Sequence, residues 1–484
     1  MSAGSSSGHR AKGPPGQTLY VVPSGHQALA ASLQSLGIVL EVPPREALQR
    51  TQAALIDAEC AAVCLIGPPW ELPMSLLADP TDKDEHVPTD TFYGLGFTPS
   101  TDDLWCGDSI LPDVPVGRIP FTDPAMVARI LGQGASLVPH WTKGIAVSAS
   151  VWTGASTAVL QSIAGAGAPT LWSAPPTGEA HVAEAMAGTP GRLYFNVHGT
   201  DQEPVWVGEG GGDYPAVLRP KDIRVASSAI VVSEACYGAN LVQDEPSIGS
   251  AFLIQGAGCF VGSTIIAWGP SSAPPRLADL IVVGMYRGLD SGLTAGQALI
   301  EAKRAILSGA LADDEPLSPQ VHNTLLSFVL YGSPNARVAG AKASPLSLPH
   351  ARPHASRAHS LPPSTGGSIL AQTRARMGGG GSSTLAGVRN RMAAGMQAAD
   401  WAELSRGRIA FAQLATELQR GTELQRRIQT LLGATPLSVE LLRYTAKGRN
   451  RVSATASEKT PWGRKHVALV TLEDGTVQAE YVSR

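Results

Sequence analysis

Residues 192–212, RLYFNVHGTDQEPVWVGEGGG, and residues 227–240, SSAIVVSEACYGAN, decide how the chain is read. Each begins as an apolar, β-type run and ends in a reactive side chain. Tyr194, Phe195 and Val197 lead to His198 and Gly199, while Ile230, Val231 and Val232 lead through Ser233 and Glu234 to Cys236. Open α/β sheets carry their chemistry at the carboxyl ends of parallel strands, so a His and a Cys at two such ends could face each other.

Working outward, strands and helices alternate. Residues 17–22 read as a first strand, followed by a helix capped by Ser24 and stopped at Gly37. Residues 38–42 are a second strand, Pro44 opens a helix to about Ala58, and 61–66 form a third, wholly apolar strand. This order implies right-handed βαβ units and a mostly parallel sheet. Cys60 and Cys64 fall at that third strand as core residues, because no second ligand pair follows them. Residues 68–105 are turn-rich and acidic, with Asp79, Asp82, Asp84, Glu85 and Asp90, and show no clear element. They read as a solvated loop or, less simply, as a cation site, although the spacing is not that of a calcium loop. A short strand at 113–120 then precedes a helix from Asp123, whose Asp-Pro start supplies an N-cap and first-turn proline. Further strands at 145–148 and 170–172, a helix at 248–255, a strand at 259–264 and helices at 277–289 and 294–308 complete the body near Val338.

Composition bounds the class. The 484 residues exceed what one core serves, and 43% hydrophobic with 5% aromatic residues suits an Ala- and Gly-rich α/β protein. Five cysteines, an odd number, argue against a disulfide framework and for a reducing compartment, the cytoplasm. No run is apolar enough to span a membrane, and the leader 1–16 lacks the apolar core of a signal peptide.

Charge divides the chain. Residues 1–340 hold 17 Lys+Arg against 31 Asp+Glu, and residues 341–484 hold 20 against 9. A basic tail of this kind either touches the acidic body, meets an outside polyanion, or is merely solvated. No zinc pattern or RNA-recognition motif supports nucleic acid as its partner. The expected organisation is a body at 17–340, with 17–140 as a possible N-terminal subdomain, a flexible Ser/Pro/Gly/His/Arg linker at 341–384, a helical segment at 385–433 and a small β unit at 434–484. The β unit contains a hairpin, with strands at 467–472 and 477–482.

A cysteine nucleophile needs a base or cationic neighbour, and a peptide carbonyl needs amide donors where its oxyanion forms. His198 and Cys236 supply the first pair, and Gly199 permits close backbone approach. The glycine-rich GEGGG at 208–212 lacks the Lys-Ser/Thr ending of a phosphate loop.

Taken in order, AAVCLIG, TFYG, PDVPVGRIP, FNVHG, VVSEACYGA, GAGCFVGST with Trp268 behind it, and LSFVLYGSPNARV resemble the motifs of gingipain-type cysteine peptidases. These belong to the group that includes caspases, clostripain, legumain and separase, and the resemblance spans residues 17–338. It implies a caspase-like α/β/α sandwich that hydrolyses peptide bonds without a cofactor. Carried over by position, Cys236 is the nucleophile, His198 the general acid/base, and the amides of Gly199 and Cys236 the oxyanion hole. Asp113, before the VGR motif, orients the histidine. Glu234 lines a pocket for an Arg or Lys side chain, with Trp268 a candidate wall and Asp123 a weaker pocket candidate. The closing motif departs from the family's GDP, with Ser333 between Gly332 and Pro334. Self-cleavage at Arg352, Arg357, Arg374 or Arg376, and a regulatory partner bound through the tail, are further expectations. The competing reading is a silent scaffold that keeps this fold to bind a protein partner.

Overall fold

In the computed structural model, the structure describes residues 16–341 and 401–483, apart from 59, 97–109, 140, 142–143, 165–166, 243–245, 313–316, 414–417, 419, 433–435, 447–448, 460–464 and 474–475. The expected leader and linker, with the linker arginines and histidines, lie outside the described residues, as does Cys106.

The main α/β body contributes strands β1 (Thr18–Pro23), β2 (Ile38–Val42), β3 (Ala62–Ile66), β4 (Ser75–Ala78), β5 (His86–Thr89), β6 (Val116–Ile119), β7 (Ile145–Ala149), β8 (Leu171–Ala174), β9 (Arg192–Asn196), β10 (Trp206–Val207), β11 (Ala216–Leu218), β12 (Ala229–Ser233), β13 (Ala257–Ser263), β14 (Trp268–Gly269) and β15 (Phe328–Gly332). Its helices are α1 (Gln27–Leu33), α2 (Ala47–Ala58), α3 (Pro124–Gly134), α4 (Thr153–Ala164), α5 (Glu179–Ala187), α6 (Ile248–Gln255), α7 (Ala278–Asp290), α8 (Ala295–Ala312) and α9 (Pro319–Ser327). Ten strands form one sheet in the order β2-β1-β3-β6-β15-β13-β12-β9-β7-β8. The sheet has two internally parallel halves that meet antiparallel at β13 and β15. The mostly parallel expectation holds, and the reversal at β15 decides which loops share an edge.

Both faces are covered, which is why the strands read as unbroken apolar runs. Tyr194, Ile230 and Val232 point into the core shared with α4 and α7, whereas Leu193, Phe195 and Val231 point into the core shared with α1, α3, α5 and α6. The result is an α/β/α sandwich. Cys60 and Cys64 are fully buried, as expected for core residues. Among the described residues no helix is long and apolar enough to cross a membrane.

Three local expectations change. Ser24 does not cap α1, whose N-cap is His26 and which starts only at Gln27. The acidic stretch after β3 is structured: β4 and β5 form a hairpin, and Asp79, 2% exposed, accepts hydrogen bonds from the Thr81, Lys83 and Asp84 amides and from Asn323 Nδ2. Its carboxylate therefore closes a turn, and among the described residues no group of three His, Cys, Asp or Glu could hold a metal. Finally, among the described residues of the expected helical segment 385–433, the α-helix is α10 (Gly421–Leu432), while Trp401–Ala410 is strand β16. Gly407 inside that run lowers helix propensity, and pairing with β17 (Ser438–Ala446) overrides what remains.

Strands β18 (Arg449–Lys459), β19 (Lys465–Glu473) and β20 (Thr476–Ser483) continue an antiparallel meander. Leu424, Ile428 and Leu431 of α10, spaced at helical intervals, pack on Val439, Leu441, Ala454 and Val470. The expected hairpin is β19–β20, its turn falling partly outside the described residues. This sheet is joined to the main α/β body, because β14 forms its outer strand beside β20.

Candidate active site

Strands β9 and β12 are parallel neighbours, with Tyr194 level with Val232 and Phe195 with Ser233. Their carboxyl ends leave the sheet on one edge, about 4.8 Å apart. His198 follows β9 by two residues and Cys236 follows β12 by three. The two loops touch: a Cβ on Gly199 would fall 1.8 Å from the Cys236 carbonyl oxygen, so only glycine fits there. The Gly199 amide is buried and donates to no group among the described residues. A buried donor left open at a reactive centre is the feature an oxyanion hole requires.

Cys236 sits on a tight turn. Tyr237 takes φ 55°, a left-handed conformation that costs a non-glycine residue about 1–3 kcal/mol and persists only where its surroundings enforce it. Those surroundings are the Tyr237 amide on Ile265 O, the Ala239 amide on Ser263 O, and the Tyr237 hydroxyl donating to Asp84 Oδ1 at 2.5 Å. Asp84 also accepts the Ile266 amide at 3.3 Å, and burial, first among several causes, pushes its carboxyl up to about 6. The next amide, Ala267, donates to Cys236 Sγ at 3.3 Å, an interaction that favours the thiolate. The other described cysteines contrast with this. Burial pushes Cys60 up to about 11 and Cys259 to about 12, and raises Cys64 as well, making them inert core thiols.

The histidine is held on three sides. Its backbone pairs with Val207, its ring meets Trp152 edge-on at 4.5 Å, and its Nε2 lies 2.8 Å from Glu209 Oε2. Glu209 is 1% exposed. A carboxylate on Nε2 fixes the tautomer, leaving proton exchange to Nδ1, and favours the imidazolium that forms when the thiol ionises.

Glu209 was not among the sequence candidates, and it occupies the position beside the His198 ring that was expected of Asp113. Asp113 precedes β6, four strand positions from β9, which is a lateral separation of about 19 Å. Its carboxylate accepts the Gly96 amide at 3.3 Å. The strand reversal also removes Asp123 from the site. Because β6 runs against β12, the end of β6 opens on the opposite edge, where Asp123 is exposed and caps α3 through Met126 N at 2.7 Å. Trp268 is fully buried in β14, directly after Ala267, and its indole N–H meets no acceptor among the described residues.

Glu234 is fully buried two residues before the nucleophile, and its Oε1 accepts the Tyr194 hydroxyl at 2.8 Å. A polar seam continues beside it through Asn196, Ser156 and Ser148. The Arg of the VGR motif is structural. Arg118, fully buried, grips Asp90 with Nη2 to Oδ1 at 2.6 Å and Nε to Oδ2 at 2.8 Å, and donates to the Gly67 and Leu72 carbonyls. It thereby ties β6 to the turn that opens TFYG. The departure at Ser333 is absorbed locally, since its hydroxyl accepts the Asn335 amide.

An α/β/α sandwich with a cysteine and a carboxylate-held histidine at adjacent strand ends defines the class of cysteine peptidases. The profile of peptidase family C25, the gingipain family, matches residues 44–339, more than half of the chain, and the chain belongs to that family. No curated protein matches the sequence. The protein is a cysteine peptidase.

Proposed function

We propose an endopeptidase that cleaves after Arg or Lys through a Cys236–His198 dyad. Cys236 Sγ attacks the scissile carbonyl, the amides of Gly199 and Cys236 receive the oxyanion, and His198 passes the thiol proton to the leaving amine. Water then hydrolyses the thioester with His198 as base. Glu209 positions His198. The observation that carries the basic preference is Glu234, a carboxylate buried beside the nucleophile, which a guanidinium or ammonium would meet with charge-assisted hydrogen bonds. Asp201 and Glu203, in the depression beside Tyr237, add negative charge nearby.

The test is a P1-positional fluorogenic library run on wild type, Cys236→Ala and Glu234→Gln. Hydrolysis after Arg or Lys that vanishes in Cys236→Ala and loses its selectivity in Glu234→Gln is expected; preference for P1 Asp or Asn overturns the assignment. The buried free thiols Cys60, Cys64 and Cys259 suit a reducing compartment, which supports the cytoplasm as the site of action. The same specificity directs self-cleavage to Arg352, Arg357, Arg374 or Arg376. Intact mass after incubation reads it, and a chain that stays whole while cutting reporter peptides excludes it.

A further inference from the structure

We infer that the C-terminal strand β20 occupies the substrate cleft of its own peptidase domain and holds the enzyme in a latent form. This rests on the proteolytic reading of Cys236 and His198 and names the regulation of that site.

β14 is the short strand that starts one residue after Ala267, whose amide touches Cys236 Sγ. An extended peptide reaching the thiol can pair with such an edge by strand addition. In this structure the edge is taken, because Trp268 pairs with Ser483 and Gly269 with Val482. Val482 is fully buried and packs against Ala149 and Trp152, and Trp152 is the ring that meets His198 edge-on. Tyr481 and Leu469 of the same sheet pack onto the main peptidase core. The end of β20 thus lies between the strand beside the nucleophile and the aromatic wall of the histidine. The depression at the site opens instead on the Tyr237 side, lined by Thr200, Asp201, Glu203 and Asn240. A substrate that uses β14 must first displace β20.

The arrangement is more than chance contact between domains. β20 is pinned on its other side by antiparallel pairing with β19 from Thr476 to Val482, and its Glu480 engages Arg427 of α10, so it is presented as a preformed strand at little further entropic cost. Its occupancy also explains why the Trp268 side of the site is completely buried.

The experiment compares full-length wild type with Val482→Asp, which places a charge in the apolar seat, and with Val482→Ala, which shortens the contact. Three quantities are read: kcat/KM on P1-Arg and P1-Lys reporters, the rate of Cys236 alkylation by iodoacetamide, and hydrogen exchange at residues 268–269 and 476–483. Expected are at least tenfold gains in kcat/KM and in alkylation for Val482→Asp and roughly threefold gains for Val482→Ala, with exchange accelerated at those two segments. Should Val482→Asp unfold the C-terminal sheet altogether, the seat is vacated and the same acceleration is required. Equal alkylation rates and equal kcat/KM in all three proteins overturn the inference while leaving the peptidase reading intact. Faster alkylation with no hydrolysis by any protein would instead retain the occupied cleft and defeat the proposed specificity.

Discussion

In the proposed Cys236–His198 mechanism, Glu209 is the carboxylate that holds the histidine. Its Oε2 lies 2.8 Å from His198 Nε2, so in the proposed mechanism its replacement should disable proton transfer more than binding. Glu209→Gln is expected to lower kcat roughly 10²–10⁴-fold with little change in KM, and Glu209→Asp to recover part of it. The pH profile separates this from a structural defect: without the carboxylate the imidazolium is less favoured, so the acidic limb of kcat/KM should move to lower pH. Asp113→Asn, remote from His198, should leave that limb in place. Stopped assays on an Arg reporter, using protein released from latency, measure both. The contrast also shows what a sequence can carry at this scale. His198 and Cys236 were legible because each ends an apolar strand run and sits in a recognisable motif. Glu209 was not, because it lies in GEGGG, where the glycines suggest a phosphate loop. Only the folded return of that loop, with Gly208 pressed against Ala174, brings the acid to the ring.

At the scale of elements, two acids, the buried Asp90 and the half-buried Asp84, tie together segments that are distant in the chain. Arg118 and Asp90 join β6 to the turn after β5, and removing the guanidinium would strip Asp90, 4% exposed, of its ion-pair partner and leave it beside the buried Lys303. Arg118→Met should therefore cost about 3–5 kcal/mol, seen as a lower urea midpoint, and adding Asp90→Asn should recover part of that loss. Asp84 ties the β4–β5 hairpin region to the nucleophile turn through Tyr237 and Ile266. Its folded pKa is raised to about 6 from 3.8, so its contribution to stability is greatest below pH 4 and is lost as pH rises through 6. Wild type should thus lose melting temperature relative to Asp84→Asn between pH 4.5 and 7.5, by an amount equivalent to about 1–3 kcal/mol. Parallel curves for the two proteins would show that the carboxyl is already charged throughout. Neither coupling could be read from the chain, since Asp84 and Asp90 appear there only as acids in a turn-rich stretch. The strands and helices of the body were legible, because their apolar runs have one structural solution between two helical layers. Trp401–Ala410 was not, because its strand state is imposed by pairing with β17 rather than by its own propensity.

At the scale of the molecule, the charge division visible in the sequence acquires a physical role. The acidic body and the basic C-terminal region are in contact through β14 and β20, and opposite net charges favour that contact at distances set by the Debye length. Short-range packing of Val482 and the β14 pairing should survive salt, whereas the long-range attraction should not. The latent enzyme should then become more active as NaCl rises from about 0.02 to 0.5 M, since the Debye length falls several-fold over that range. Val482→Asp, already released, should show a flat or falling response over the same range. The ratio of kcat/KM for wild type to that for Val482→Asp isolates the docking step from any effect of salt on catalysis, and it should rise several-fold with salt. A ratio independent of salt would mean that β20 is held by strand pairing and apolar burial alone, and that the charge asymmetry serves solubility or another partner. The sign of this dependence tells whether latency would be lifted by a polyanion that competes for the basic region, or only by a force that peels the strand from Trp268 and Gly269.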